Sequence, residues 1–437
     1  MIKITHMTEP DTIEFTMKFA EVYDINSKKL IIRIGAWVRE MVVNINDELP
    51  EDTIGLPKEL KEYFTVPEEL SYEMVIKNRT LTIGPVIAFV AYRGKRTLSP
   101  KSLELYKHRF TNYKKVNGLV FICAASGINP STKTIEGYYY NPNGKDANTR
   151  WMYGVFPYPN AVYKRKPIDG YRYNDLVSTI GDRIINSFFF LKADITQMTQ
   201  RDKNFQKYFP YSEMLDTEEQ LSRLIEQYQF VYIKPSNGRQ GIGIYKVTRD
   251  LSGNYQFMDR RKKVFSLAKG GQLNHFLNKC KRKKYIIQQG IDSEVNNQQV
   301  DFRVYAQKNK MGQWVCQGMI GRLAKKGSVV TNLAFTEKLL PGLEAIKTIF
   351  QADNKNAKKI QDEIYKQCIG VCEELDKKFG KYGDVAIDVI VDASQRVWIL
   401  EINKDFGYQS LVKLKNRKLL RTLRTTPFEY AKTLAGF

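Results

Sequence analysis

Asp388, Glu401 and Asn403 are three oxygen donors set into two otherwise apolar runs, Val385–Asp392 and Val397–Asn403, joined by Ala393-Ser394-Gln395. Such runs read as adjacent antiparallel strands, with Glu401 and Asn403 on one face. Hard oxygen ligands of this kind suit Mg²⁺, which commonly combines a few carboxylates with phosphate oxygens and water. The plainer reading pairs them with nearby lysines. A second constellation lies far upstream, in the stretch 230–247. There Phe230-Val231-Tyr232-Ile233-Lys234-Pro235 passes into Ser236-Asn237-Gly238-Arg239-Gln240-Gly241-Ile242-Gly243 and resumes as an apolar run. This predicts a strand, a loop with three glycines, and a strand. Backbone amides freed by glycine can converge on phosphate oxygens while the Lys234 ammonium neutralises charge between them. A long turn between strands is the plainer account. The pattern is neither a Walker loop nor a dinucleotide fingerprint, because both open a helix and here a strand follows. Together the two constellations point to a nucleotide phosphate site more strongly than either alone.

The elements that must position them follow in chain order. Residues 1–82 show short alternating runs such as Ile31-Ile32-Arg33-Ile34, broken by prolines and Gly55, and predict a β-rich accessory domain. Over 83–185 a buried-type strand through Val90, an amphipathic segment from Ser102 to Tyr113 and a second strand, Val116–Ala124, predict a small open α/β domain with a parallel core. Trp151, Tyr153, Phe156, Tyr158 and Tyr163 read as core or sheet-edge aromatics before they read as base-stacking groups. The remainder, 186–437, carries both constellations. It predicts a helix over 192–206, a capped helix before Tyr228, a basic helix from Gly270 to Lys284, and a strand over 285–291. A hairpin of Val300–Lys308 with Gln313–Gly321 follows, then an amphipathic helix from Ala357 to Phe379 stopped by Gly380.

The 437 residues suffice for two to four domains, and 43% hydrophobic with 27% charged residues is ordinary for a globular protein. No apolar run is long enough to cross a bilayer, and Met1–His6 lacks the apolar region of a signal peptide, so a cytoplasmic location is expected. Five cysteines without a CxxC pair indicate neither a disulfide framework nor a zinc site; Cys368 and Cys372 fit the apolar stripe of their helix. The net charge of +22 favours anionic partners. No recognition helix or RNA-binding sheet motif accompanies it, so nucleic acid is the least favoured of them.

Ile233-Lys234-Pro235 with its glycine loop, Asp301-Phe302-Arg303-Val304, Arg322, Asn332, Asp388 and Leu400-Glu401-Ile402-Asn403 together resemble the ATP-grasp superfamily. More narrowly, Leu81-Thr82-Ile83-Gly84-Pro85, the loop from Lys234 to Ile244 and Asp301–Val304 resemble the YheC/YheD family of endospore coat-associated proteins. The resemblance covers most of the chain, with the catalytic motifs between 186 and 410. It implies an α/β and α+β multidomain protein. An ATP-grasp domain of two subdomains, with the nucleotide between them, would span 186–437, preceded by the small α/β domain and the N-terminal β-rich domain.

The resemblance further implies ATP and Mg²⁺ as cofactors. Lys234 would hold the α- and β-phosphates, and Ser236, Gly238, Gln240, Gly241 and Gly243 belong to the loop closing over the rest. Lys192 stands where the family has its other nucleotide lysine, with Lys203 as competitor. Gln288, Gln289 and Ile291 form the hinge beside adenine; the family's ribose acid is missing from Gln288-Gln289, leaving Asp292 or Glu294. Arg303 and Arg322 are assigned to the transferring phosphoryl group, and Asp388, Glu401 and Asn403 to the metal, with Glu401 bridging two ions. The plainer reading of Arg303 is a strand salt bridge. The implied reaction is carboxylate–amine ligation through an acyl phosphate, on an acidic peptide, protein or amino acid. The alternative is a nucleotide-binding structural protein of the spore coat without ligation. Past the metal block, Lys413, Lys415, Arg417, Lys418, Arg421 and Arg424 read as a solvated face or as the receiver of an acidic acceptor. Thr426-Pro427-Phe428-Glu429 reads as a capping box.

Overall fold

The β-branched runs of the first 84 residues pair into one mixed seven-stranded sheet. Its spatial order is Lys3–Met7, Thr53–Pro57, Thr12–Phe15, Trp37–Ile45, Lys29–Ile34, Thr80–Gly84, Glu73–Lys77. In this computed structural model the described residues are 1–7, 9–238, 241–295, 298–328, 331 and 334–437. A second sheet orders Trp151–Pro157, Thr134–Tyr140, Leu119–Asn129, Val86–Tyr92, Ala161–Lys164 and Ile184–Ile185. Its last four strands are parallel, and Val86 to Val90 are buried on both faces, as a parallel core strand must be. Alternation divides those faces. Val86, Ala88, Val90, Leu119, Phe121 and Cys123 share one core with the N-terminal sheet, whereas Ile87, Phe89, Val120 and Ile122 pack against Phe428, Tyr430 and Ala431 near the C-terminus. Of the aromatics read as core, Trp151, Phe156, Tyr158 and Tyr163 are buried, and Tyr153 is exposed.

Two further sheets frame the site. One is antiparallel throughout, in the order Ser212–Met214, Tyr285–Gln289, Val231–Pro235, Tyr245–Arg249, Tyr255–Asp259, Val264–Leu267. Helices Glu218–Tyr228 and Gly271–Arg282 cover one face through Leu221, Leu224, Ile225, Leu273 and Leu277. The other orders Thr336–Pro341, Trp314–Ala324, Gln298–Lys308, Asp384–Val391 and Val397–Asn403. Helix Asn354–Phe379 covers its back with Ile360, Ile364, Cys368, Val371, Cys372 and Leu375, so both cysteines are core groups.

Two expectations are corrected. The helix over 192–206 is two helices, Lys192–Arg201 and Lys203–Gln206, because Asp202 leaves helical geometry and its carboxylate accepts from the Asn204 and Phe205 amides. The capping box at Thr426 is absent: one helix runs Arg417–Leu434 straight through Pro427, starting at Asn416, whose side chain caps the Leu419 amide. Proline has no N–H for the carbonyl four residues back, which is Leu423. That carbonyl accepts instead from Gln307 Nε2 at 2.8 Å and the Tyr408 hydroxyl at 3.3 Å. Tertiary donors therefore stand in for the missing bond, and no local pattern could announce them.

Candidate nucleotide and metal site

Cross-strand register places the charged residues in one row. Asp301 lies opposite Arg322, Arg303 opposite Asp388, and Asp388 opposite Glu401. Asp301 and Arg303 are two apart on one strand and so share a face. A bulge between Asp388 and Val389 leaves Leu400 as the extra residue opposite them, and Leu400 and Glu401 both line the cleft beyond.

The row is a dense ion network. Arg303 donates from Nε and Nη2 to the two Asp388 oxygens, each at 2.7 Å. Arg322 Nε donates to Asp301 Oδ1 at 2.6 Å, its Nη2 to Asp301 Oδ2, and Nη2 also lies 3.2 Å from Asp388 Oδ1. The Thr331 hydroxyl donates to Asp301. Burial alone would raise the Asp388 carboxyl, but Arg303 and Arg322 override it and hold it well below the usual carboxylate range. Asn403 Nδ2 reaches Asp388 Oδ2 at 3.4 Å, and Lys192 Nζ lies 3.4 Å from Glu401 Oε1.

Facing this row across a cleft of about 580 Å³ is the antiparallel sheet with Lys234 at the end of its central strand. Lys234 Nζ donates to Gln288 Oε1 at 2.8 Å, from the neighbouring strand. Lys192 bridges the two sides, since its Nζ is also 3.4 Å from the Gly238 carbonyl of the glycine loop. Lys203 is exposed on its own short helix and does not line the cleft, so Lys192 is the lysine brought to the site. Gly243 has φ +77°, and a Cβ there would meet the Tyr285 hydroxyl at 2.6 Å, so glycine is required for that close approach.

The cleft lining unites Lys192, Lys234, Ser236, Gly238, Gly241, Gln288, Gln289, Ile291, Arg303, Arg322, Asp388, Glu401 and Asn403. Gln240 and Asn332 lie outside the described residues. Gly243 shapes the loop without lining the cleft. Gln289 turns its side-chain oxygen to the Tyr211 amide at 3.1 Å, and its own backbone N–H donates to the Tyr211 carbonyl at 2.8 Å. Ile291 packs with Ile390, Trp398 and Leu400, a greasy floor contributed by both sheets. Asp292 and Glu294 both fall outside the lining. Glu294 is taken by Gln299 Nε2 at 2.7 Å and by Lys246 at 3.7 Å, so as the ribose acid it would first have to leave those partners.

Sequence reasoning gave no role to Asp301, although its position two residues before Arg303 on an alternating strand puts it beside that arginine. The segment 404–406 follows the metal block and adds charge to it. There Lys404 donates to the Phe190 carbonyl, Lys166 to Asp405, and Arg165 to the Phe406 carbonyl, which ties the residues after the metal block to the parallel sheet.

The donor set fits a hard cation: two carboxylates and one amide, with no soft ligand among them. Among the described residues no three His, Cys, Asp or Glu side chains converge, because the third donor is Asn403. Among the described residues Asp388 accepts four contacts, two of them long, at 3.2 and 3.4 Å.

Burial, helped by the charge of Lys192 and opposed by Glu401, pushes Lys234 down to about 8. Phosphate needs the ammonium form. Nucleotide affinity is therefore expected to be flat below that value and to fall above it, approaching tenfold per pH unit. A fluorescent ATP analogue titrated on both sides of the transition checks this, and Lys234→Arg should remove the step. A flat profile for the unaltered protein would count against Lys234 as the phosphate group.

The family model described as YheC/D like ATP-grasp matches residues 181–434. The endospore coat-associated protein YheD of Bacillus subtilis (strain 168) is 26% identical over 406 residues, 88% of this chain and 86% of that protein. The endospore coat-associated protein YheC of the same strain is 22% identical over 215 residues, 47% of this chain and 57% of that protein. Among solved structures, the VanG D-Ala:D-Ser ligase from Enterococcus faecalis aligns with a TM-score of 0.42 at 12% identity, over 78% of this chain and 100% of that one. No helix among the described residues is long and apolar enough to cross a membrane.

Proposed function

The chain belongs to the YheC/D-like ATP-grasp family, and on that footing we propose that it is an ATP- and Mg²⁺-dependent carboxylate–amine ligase acting on an acidic peptide, protein or amino acid. The supporting observation is the convergence, across one cleft, of Lys234 and Lys192 with Arg303, Arg322, Asp388, Glu401 and Asn403. In this reading residues 186–437 are the ATP-grasp unit, 83–185 the domain preceding it and 1–82 an accessory module. A link to the spore coat is supported by the names of the relatives, and the enzyme is placed in the cytoplasm as part of the same proposal.

In the proposed reaction a substrate carboxylate oxygen attacks the γ-phosphorus of ATP, and the bond from that phosphorus to the ADP oxygen breaks. An amine nitrogen then attacks the acyl carbon of the resulting acyl phosphate; phosphate leaves and the nitrogen loses a proton. Lys234 and Lys192 hold the phosphates, with Gln288 positioning Lys234. Arg303 and Arg322 face the charge that gathers on the phosphoryl group in flight, and Asp301 keeps Arg322 extended toward it. Asp388, Glu401 and Asn403 would hold Mg²⁺, which when bound neutralises phosphate charge and orients the γ-phosphoryl group.

A nucleotide-binding coat protein without ligase activity is the competing reading. The observation favouring it is the engagement of both Asp388 oxygens by arginine. ADP release measured with ATP and Mg²⁺ against a panel of amino acids and acidic peptides separates the two. Stimulation by one acceptor is expected. Nucleotide binding with no ADP release under any acceptor would overturn the ligase and leave the binding protein.

A further inference from the structure

The residues that follow the cleft carry cations where helix physics disfavours them. Between Phe406 and Phe428 there are six basic residues, Lys413, Lys415, Arg417, Lys418, Arg421 and Arg424, and no acidic one. Arg417 and Lys418 open the helix Arg417–Leu434, whose first turn holds no carboxylate. The amide dipoles make that end positive, so each cation there opposes the fold. Among the described residues no carboxylate forms an ion pair with Lys413, Lys415, Arg417, Lys418 or Arg421. Helix Asn354–Phe379 also starts without an acidic residue in its first turn, but its Lys358, Lys366, Lys377 and Lys378 each pair with an acid three or four residues away.

A neighbouring element adds to the field. Arg109 and Arg424 both lie against the Tyr408 ring, at 5.5 and 5.8 Å from its centroid. Partial burial and then the charge of Arg109 lower Arg424 from its ordinary value; burial, Arg424 and Lys107 lower His108. Positive charge is concentrated here, with the Arg421 guanidinium donating to the Asn112 side-chain oxygen. It also starts at the site, since Gln409 and Ser410 line the cleft and open the helix Gln409–Lys413 that leads to the run.

We propose that the face formed by Lys413, Lys415, Arg417, Lys418 and Arg421 is the docking surface for an acidic polypeptide, held so that one of its carboxylates enters the cleft beside Gln409 and Ser410. The inference rests on the ligase reading for its choice of occupant. A polypeptide rich in Glu or Asp supplies both the docking charge and a reacting carboxylate, whereas nucleic acid supplies no carboxylate. The face also offers no free stacking platform, because its nearest ring, Tyr408, is buried with Arg109 and Arg424 against it. Exposed Val412 and half-buried Leu414 and Leu419 instead provide apolar contact between the cations.

The test reads binding, so a failure of ligation leaves it intact. Fluorescein-labelled poly-L-glutamate is titrated by anisotropy into the full chain, into Lys413→Glu/Arg417→Glu/Lys418→Glu, and into the equal-charge control Lys358→Glu/Lys366→Glu/Lys377→Glu, three paired lysines of helix Asn354–Phe379. The first triple substitution is expected to weaken binding by on the order of tenfold or more, and the control by less than about twofold. Both variants should keep the affinity of the unaltered chain for a fluorescent ATP analogue, which reports an intact site. Equal losses in the two variants, or none in the first, would overturn the docking face. Duplex DNA displacing poly-L-glutamate at lower phosphate than free poly-L-glutamate requires in carboxylate would overturn the polypeptide as its occupant.

Discussion

Lys234→Met is expected to lower ATP turnover by about 10³-fold while leaving the apparent melting temperature unchanged or slightly raised. The two halves of this expectation have one cause. The ammonium sits in the cleft with one uncharged partner, Gln288 Oε1, and with Lys192 contributing repulsion, so before nucleotide arrives its charge is poorly solvated. A lysine whose folded pKa lies below its unfolded value binds fewer protons when folded. The empty protein therefore gains stability from this group as pH rises from about 8 towards the unfolded value of about 10.4, and below that window it carries the full cost. Methionine removes the cost. It also removes the charge that polyphosphate would neutralise, which the reaction needs most when the γ-phosphoryl group departs. Turnover assays and thermal melts on the same preparation check both halves. A variant that lost turnover only by unfolding would refute the account.

How much of this was legible in the sequence depended on the range of the interaction. Lys234 with its glycine loop, and Asp388, Glu401 and Asn403, could be read because polar residues interrupt apolar alternation, and alternation fixes which face each side chain takes. The same rule would have reached Asp301, which needed only its spacing from Arg303. The resemblance favoured Lys192 over Lys203, but the physical reason needed both to be placed, because the break at Asp202 that puts Lys203 on a separate helix is a local capping event inside an otherwise continuous helical pattern. Pro427 misled for the opposite reason. A proline after threonine is a good local start signal, yet Gln307 and Tyr408, more than a hundred and nearly twenty residues away respectively, satisfy the carbonyl it orphans. The links from Lys166 and Arg165 to the 404–406 segment span some 240 residues, and no periodicity carries such information. Glu294 exemplifies a third limit: a carboxylate of the right type near the hinge is already engaged by Gln299 and Lys246, and composition cannot reveal a competing partner.

Asp388→Asn and Glu401→Gln should both abolish ATP turnover, by about 10²- to 10³-fold or more, and should differ in everything else. Each removes a carboxylate from the same oxygen set on paired strands. Their surroundings are unlike. Asp388 anchors Arg303 through two bonds and draws a third contact from Arg322, all with little exposure. An amide in its place leaves a buried and a half-buried guanidinium group short of charge, and breaking such a pair costs about 3–5 kcal/mol, nearer the lower end here because Arg322 keeps Asp301. Glu401 is a third exposed and has, among the described residues, a single ionic partner, Lys192 at 3.4 Å, so its loss should change stability by no more than about 1 kcal/mol. Acid sharpens the contrast. The arginines hold the folded Asp388 pKa well below its unfolded value of about 3.9, so its contribution is fully present above that value and is lost as pH falls through the window beneath it. Denaturant unfolding at neutral pH and again at acid pH should thus show a large deficit for Asp388→Asn that narrows in acid, and at neutral pH a small one for Glu401→Gln. Equal stability of the two variants would mean that the arginines are held by something other than Asp388. The row would then be an ordinary strand ion pair beside the proposed metal donors, without the double duty of anchoring the arginines and completing the oxygen set.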